Sequence, residues 1–233
     1  MPRPLRIHLP DLTYHVLNRG NNRQITFAGD KDYLHYLDIL RRYKEKFNFK
    51  IFAYCLMSNH IHLLIKTSQD GTISEIMKAI TIAHTRYYHK RYKTTGHIWQ
   101  GRFRSPIVSD DEYLLTLMCY IEQNPVRAGI VEHPERYPYS SYHSQIKIEK
   151  DNLINREENP VFLGLGNTME ERIERYREFA SSLLDDDKLK LIHKSLNGQI
   201  QFSSERFLKQ IEVWLAIRKK RRRGRPRIKI INP

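Results

Sequence analysis

Residues 49–66 read FKIFAYCLMSNHIHLLIK. Two apolar runs, Phe49–Leu56 (FKIFAYCL) and His60–Lys66 (HIHLLIK), flank Met57-Ser58-Asn59, a connection short enough to fold them back on each other as a hairpin. Successive residues of a strand face opposite ways. His60 and His62 therefore project from one face, and Ile61, Leu63 and Ile65 from the other. Two polar aromatics inside an otherwise apolar strand need a reason, because burying them without partners costs free energy.

Outward from the hairpin the pattern alternates. Upstream, Tyr14–Asn18 (YHVLN) reads as a short strand. Lys31–Asn48 carries Tyr33, Tyr36, Leu37, Leu40, Tyr43 and Phe47 at helical spacing, with Asp30 placed to cap it. Downstream, Thr72-Ile73-Ser74-Glu75 has the form of a capping box. It opens a helix whose stripe is Ile73, Ile76, Ile80, Ala83 and Tyr87. Phe103–Val108 reads as a fourth strand. Ser109-Asp110-Asp111-Glu112 repeats the capping pattern ahead of a third helix, which stops near Asn124-Pro125 because proline disfavours helical geometry in the residue before it. The order β-α-β-β-α-β predicts an α+β, ferredoxin-like (RRM-like) antiparallel sheet. Its helices pack on one face, the third strand lies in the middle beside the first, and a further helix follows.

Beyond this unit, Asp151–Pro160 is polar and loop-like. A helix capped by Thr168, with Glu171 three residues later, carries Ile173, Tyr176 and Phe179, and another spans about Ser204–Ile217. The expected organisation is a domain over 1–145 bearing the candidate site, a helical extension over 146–217 and a basic tail over 218–233.

Composition bounds the function. With 40% hydrophobic and 28% charged residues the chain reads as a soluble globular protein, and no run approaches the roughly 20 apolar residues of a membrane span. The N-terminal MPRPLRIHLPDLTYHV is basic without a signal-like apolar run, and Cys55 and Cys119 are too few for a disulfide framework. A reducing, cytoplasmic setting follows as the expectation, with no membrane partner. Net charge is +14, and Arg218–Lys229 alone holds nine Lys/Arg and no acid, so the tail is intensely basic and the body mildly so. A polyanion is the natural partner, because neutralised phosphates release condensed counterions. Within KKRRRGRPR, Arg223, Arg225 and Arg227 around Gly224 and Pro226 resemble an AT-hook, which lays arginines in a narrow minor groove. The plain alternative is a solubilising tail.

The third helix supplies a candidate nucleophile. Leu114, Leu117, Met118 and Ile121 mark its buried face, and Tyr120 falls roughly 110° from the centre of that stripe. Tyr113, Thr116 and Asn124 share its side, Asn124 one turn below. A phenol with a pKa of about 10 is mostly protonated at neutral pH, and a phosphodiester repels nucleophiles. A divalent ion on His60 and His62 would polarise the phosphate while Tyr120 attacks in line, leaving a phosphotyrosine and a free 3′-hydroxyl. Because the bond energy is retained, a second 3′-hydroxyl can reverse the step without a nucleotide cofactor.

Four runs occur in order: YHVLNRGNNRQ (Tyr14–Gln24), YCLMSNHIHLLI (Tyr54–Ile65), HIWQGRFRS (His97–Ser105) and YIEQNPVRAGIV (Tyr120–Val131). Together they resemble the REP-associated tyrosine transposases, HUH single-tyrosine enzymes related to the smallest bacterial insertion-sequence transposases, over about the first 145 residues. The resemblance implies a metal-dependent endonuclease and strand transferase acting on single-stranded DNA near a REP-like hairpin. It implies His60 and His62 as ligands of Mg²⁺ (or Mn²⁺) and Tyr120 as the nucleophile. Asn124 stands where a polar residue one turn after the tyrosine completes the metal shell in relatives. A nucleoid-associated monomer or homodimer goes with that assignment.

Around this site, Asn18, Arg19 and Arg23 lie in a polar turn after the first strand, placed to hold phosphates or read bases. Arg102 and Arg104 interleave with Trp99 and Phe103 as cations and aromatics do in single-strand binders, although both rings could equally be core. Two other readings stay open: a non-catalytic nucleic-acid-binding module on the same sheet, and a hydrolase using metal-bound water with Tyr120 merely structural.

Overall fold

In the computed structural model, which describes residues 9–108, 111–149, 151–181, 186–196 and 200–201, the sheet contains β1 (Thr13–Arg19), β2 (Lys50–Met57), β3 (His60–Lys66), β4 (Ile107–Val108) and β5 (Ile200–Gln201). The order across it is β2-β3-β1-β4-β5, antiparallel except for the parallel β4–β5 pair. The third strand thus lies beside the first, as the sequence predicts. The ferredoxin-like arrangement is extended at one edge by β5, which the sequence pattern does not announce.

Helices α1 (Asp30–Phe47) and α2 (Ile73–Tyr92) pack on each other. The α2 cap follows the sequence pattern: Glu75 N–H donates to Thr72 Oγ1 at 3.3 Å and Thr72 N–H to Glu75 Oε2 at 2.9 Å. The α1 cap does not. Gly29 is the capping residue, and the carboxylate of Asp32, in the first turn, accepts from the amides of Ala28 (2.8 Å) and Gly29 (3.2 Å). Asp30 is instead the first helical residue.

The fourth strand is shorter than the expected Phe103–Val108. Pro106 has no N–H to offer β1, so regular pairing covers only Ile107 and Val108. The preceding chain still follows the edge of β1 through single bridges, Leu17 to Arg104 and Gly20 to Trp99.

The register assigns the faces. His62 pairs with Leu17 and Cys55, and His60 with Arg19 and Met57, so these residues share one face with His15 and Leu64. Tyr14, Val16, Ile61, Leu63 and Ile65 are buried on the other face, beneath α1 and α2. On the histidine face lies α3 (Asp111–Glu122), continued after a bend by α4 (Asn124–Arg127). Leu117, Met118 and Ile121, each contributing roughly 2 kcal/mol of apolar transfer, pack there with Ala53, Cys55 and Leu64.

The chain continues through α5 (Tyr142–Ile146), α6 (Pro160–Leu163), α7 (Met169–Ser181) and α8 (Asp186–Ser195). Thr168 Oγ1 accepts from Glu171 N–H at 3.2 Å, the cap expected for α7. The polar stretch 151–160 is no surface loop throughout. Arg156 is buried and donates to the carbonyls of Ser144, Gln145, Lys147, Ile148 and Glu149, closing the end of α5. Phe162, Ile173, Tyr176 and Ile192, all beyond residue 145, join the α3 core. The cap at Ser109-Asp110, the helix expected over Ser204–Ile217 and the AT-hook-like arginines lie outside the described residues. No described helix is long and apolar enough to cross a membrane.

Candidate active site

His60 and His62 stand next to each other on β3, their ring centroids 5.3 Å apart and nearly perpendicular. Each has Nδ1 committed. His60 Nδ1 lies 2.7 Å from Asn59 Oδ1, and His62 Nδ1 lies 3.0 Å from Nε2 of His15 on β1. An amide oxygen only accepts, so His60 carries its proton on Nδ1 and leaves the Nε2 lone pair outward. For His62 to do likewise, its Nδ1–H must donate to His15, which then holds its own proton on Nδ1. That His15 nitrogen is buried without a hydrogen-bond partner among the described residues.

Burial keeps all three rings neutral. It lowers the pKa of His15 to about 3 and, with Arg19 nearby, that of His60 to about 4. His62 is held well below the ordinary imidazole value by burial first, then by His15, His60, Arg127 and Arg19. Neutral imidazoles oriented through Nδ1 are what a divalent cation requires of histidine ligands, so the pair fits one edge of a coordination shell. Among the described residues no group of three His, Cys, Asp or Glu could hold a metal. The remaining ligands would have to be amide oxygens, water or phosphate.

Tyr120, from the last turn of α3, meets this cluster edge-on. Its ring centroid is 5.8 Å from that of His62 and 6.1 Å from that of His15. The helix stripe predicts a boundary position, but Tyr120 is only 4% exposed. Further chain covers it: His193 of α8 sets its ring 6.0 Å away, and the Arg127 guanidinium carbon lies 4.0 Å from the ring centroid. Burial raises the Tyr120 phenol above its ordinary value, and Arg127 and Arg19 pull it back in part.

Asn124, expected to complete a metal shell, is half-buried at the start of α4. Its Nδ2 donates to the carbonyls of Tyr120 (3.0 Å) and Ile121 (3.1 Å), so only Oδ1 is available to a cation. Gln123 turns away, donating to the Ala180 carbonyl at 2.7 Å.

Of the expected DNA-contacting residues, Arg19 is exposed on the histidine face opposite His60, and Arg104 is exposed opposite Leu17 on that same face. Arg23 and Arg102 are exposed in the neighbouring loops. Asn18 departs from the expectation. It is 3% exposed and pairs with Ile61, so strand alternation turns it into the opposite face, away from any strand bound over the histidines. Trp99 packs its ring 5.6 Å from His84 of α2, which accords with the core reading of that residue.

Sequence reasoning missed His15, Arg127 and His193. His15 has a legible parity, two residues before Leu17, but only the register sets it against His62. Arg127 lies within the run YIEQNPVRAGIV without standing out there, and His193 comes from an extension whose docking the pattern does not express.

Residues 8–124, which contain His15, both strand histidines and Tyr120, match the protein family described as "Transposase IS200 like". A protein of Haemophilus influenzae assigned by name to the REP-associated tyrosine transposases is 34% identical over 116 residues, covering 45% of this chain and 65% of that relative. The solved structure of a REP-associated tyrosine transposase bound to a REP hairpin superposes with a TM-score of 0.54 at 21% identity. That match covers 63% of this chain and 86% of that one, and supports the fold. The chain belongs to the IS200-like transposase family.

Proposed function

We propose that this protein cleaves and rejoins single-stranded DNA beside hairpins, as a single-tyrosine transposase with Tyr120 as nucleophile. The observation that carries this is the meeting of Tyr120 with His62, ring centroids 5.8 Å apart, from elements 58 residues apart in the chain. That a structural relative is bound to a REP hairpin supports hairpin DNA as the substrate class.

His60 and His62 would hold a divalent cation, Mg²⁺ or Mn²⁺, with Asn124 Oδ1 as a candidate third ligand. Bound there, the ion would polarise a non-bridging phosphate oxygen and offset developing charge. The chain's own residues do the rest. Arg19, Arg23, Arg102 and Arg104 hold the strand. The Tyr120 Oη–P bond forms as the P–O3′ bond breaks, the phenolic proton passes to water, and the leaving 3′-oxygen is protonated from water. A 5′-phosphotyrosine and a free 3′-hydroxyl result, and another 3′-hydroxyl reverses the step.

The test is a labelled single-stranded hairpin oligonucleotide incubated with the protein and Mg²⁺, then run on a denaturing gel. Wild type gives a covalent protein–DNA adduct, and Tyr120→Phe gives none while still binding DNA. Cleavage that persists in Tyr120→Phe would establish hydrolysis by water instead. Binding without any cleavage would establish a non-catalytic nucleic-acid-binding module.

A further inference from the structure

Arg127 is placed in a way that packing alone does not require. The amide of Arg127 donates to the Gln123 carbonyl at 3.0 Å, so α4 continues the course of α3 with a modest break. Seven residues on from Tyr120, Arg127 falls on the same side of that course two turns below it. Its side chain reaches back up: the guanidinium carbon stands 4.0 Å from the Tyr120 ring centroid, and Nη2 donates to the Tyr120 carbonyl at 3.0 Å. The other terminal nitrogen, Nη1, is buried and has no hydrogen-bond partner among the described residues. A permanent cation with a buried, unmatched donor is costly, and burial does shift the guanidinium against its charged form. Replacing Arg127 by an apolar residue of similar length would relieve that cost while still covering the tyrosine ring. An anion brought to Tyr120 would satisfy that donor.

We propose that Arg127 is a catalytic residue whose Nη1 binds a non-bridging oxygen of the phosphate that Tyr120 captures. This rests on the reading of Tyr120 as nucleophile. While the Tyr120 Oη–P bond forms and the P–O3′ bond breaks, the two non-bridging oxygens carry the phosphodiester's negative charge and draw more of it in the five-coordinate transition state. A guanidinium already fixed over the ring stabilises that state without reorganising, and then holds the phosphotyrosine in place for the reverse attack. The planar fork suits this double role, since one arm anchors on the Tyr120 backbone while the other addresses the phosphate.

The experiment pairs protein variants with substrate variants. The probe is a single-stranded oligonucleotide carrying a hairpin from the DNA flanking the gene. Its scissile phosphodiester, located by sequencing the product, is replaced by an Rp or an Sp methylphosphonate. In wild type, the diastereomer that lacks the oxygen facing Arg127 is cleaved roughly 100-fold more slowly in a single turnover. In Arg127→Met the natural substrate is slowed by about that factor, and the same diastereomer adds no further loss, whereas the other diastereomer keeps its wild-type penalty. Equal penalties for each diastereomer in wild type and variant would overturn the proposal. Should Arg127→Met fail to fold, Arg127→Lys serves, since one ammonium cannot hold the Tyr120 carbonyl and the phosphate together. A wild-type enzyme indifferent to the two diastereomers would also overturn it. Adduct formation by wild type, absent in Tyr120→Phe, is scored in the same reactions. Its absence sinks the nucleophile reading, whereas its presence with unchanged penalties sinks only the role of Arg127.

Discussion

His15 contacts no reacting atom in this picture, yet the protonation of His62 depends on it. The direction of the 3.0 Å bond between His15 Nε2 and His62 Nδ1 fixes which nitrogen of His62 presents a lone pair. His15→Leu fills the same fully buried space with an apolar group and leaves His62 without that partner. Affinity for Mn²⁺, followed by calorimetric titration, should fall roughly 10–100-fold with little change in helical content. Unchanged affinity would reduce His15 to a packing residue. A second residue-scale constraint is Gly20, where β1 turns into the arginine-bearing loop. A Cβ there would lie 2.3 Å from the Gln24 carbonyl oxygen and 3.0 Å from Thr26 Cγ2. Gly20→Ala must therefore displace the loop that carries Arg23. It is expected to cost about 1–3 kcal/mol in denaturant unfolding and to weaken single-stranded DNA binding.

At the scale of elements, α1 and α2 are joined by one buried carboxylate. Asp32 accepts from the hydroxyls of Tyr92 (2.6 Å) and Tyr87 (2.9 Å), pairs with Arg91 Nε (3.1 Å) and caps α1 through the Ala28 and Gly29 amides. Burial alone would raise its pKa, but the Tyr92, Ala28 and Tyr87 hydrogen bonds and Arg91 together bring it below the usual 3.8. A depressed carboxylate stabilises the fold above its unfolded-state pKa. That contribution is lost as pH falls below about 3.8 and through the lower folded-state value. Asp32→Asn should cost on the order of 3 kcal/mol at pH 7 and show a smaller further loss between pH 4 and pH 2, read from urea unfolding across that range. A variant with the wild-type acid profile would rule out Asp32 as the source of that acid sensitivity. On the other side of the sheet, Glu122 performs a similar service. Its buried carboxylate accepts from Ser141 and from Tyr176 at 2.6 Å, tying α3 to α5 and α7. The two Glu122 bonds tie the tyrosine-bearing helix to the segments that follow it.

For the whole molecule, charge is unevenly spread. The nine Lys/Arg of Arg218–Lys229 supply most of the net charge of +14. Deleting residues 218–233 should weaken binding to single-stranded DNA and flatten the dependence of log K on log salt. The slope would change by as much as about 6 if every cation neutralises a phosphate. An unaltered salt slope would leave the tail without a role as DNA anchor, and would not touch the chemistry at Tyr120.

Periodicity in the chain was enough to determine the hairpin, the central place of β3, the pairing of His60 with His62 on one face and the helical register of Tyr120. These follow from local rules, since alternation in a strand and a 3.6-residue repeat in a helix fix direction relative to near neighbours. Only tertiary structure decided what each face meets. Whether Tyr120 lies at a boundary or under cover depends on the extension, and neither the docking of α7 and α8 nor the approach of His193 has a local signature. The partnership of His15 with His62 needed strand register, and the inward turn of Asn18 needed knowledge of which face each helix covers. Contacts between residues dozens of positions apart are chosen by how whole surfaces fit, and surface fit is a property of the assembled layers that no window of sequence contains.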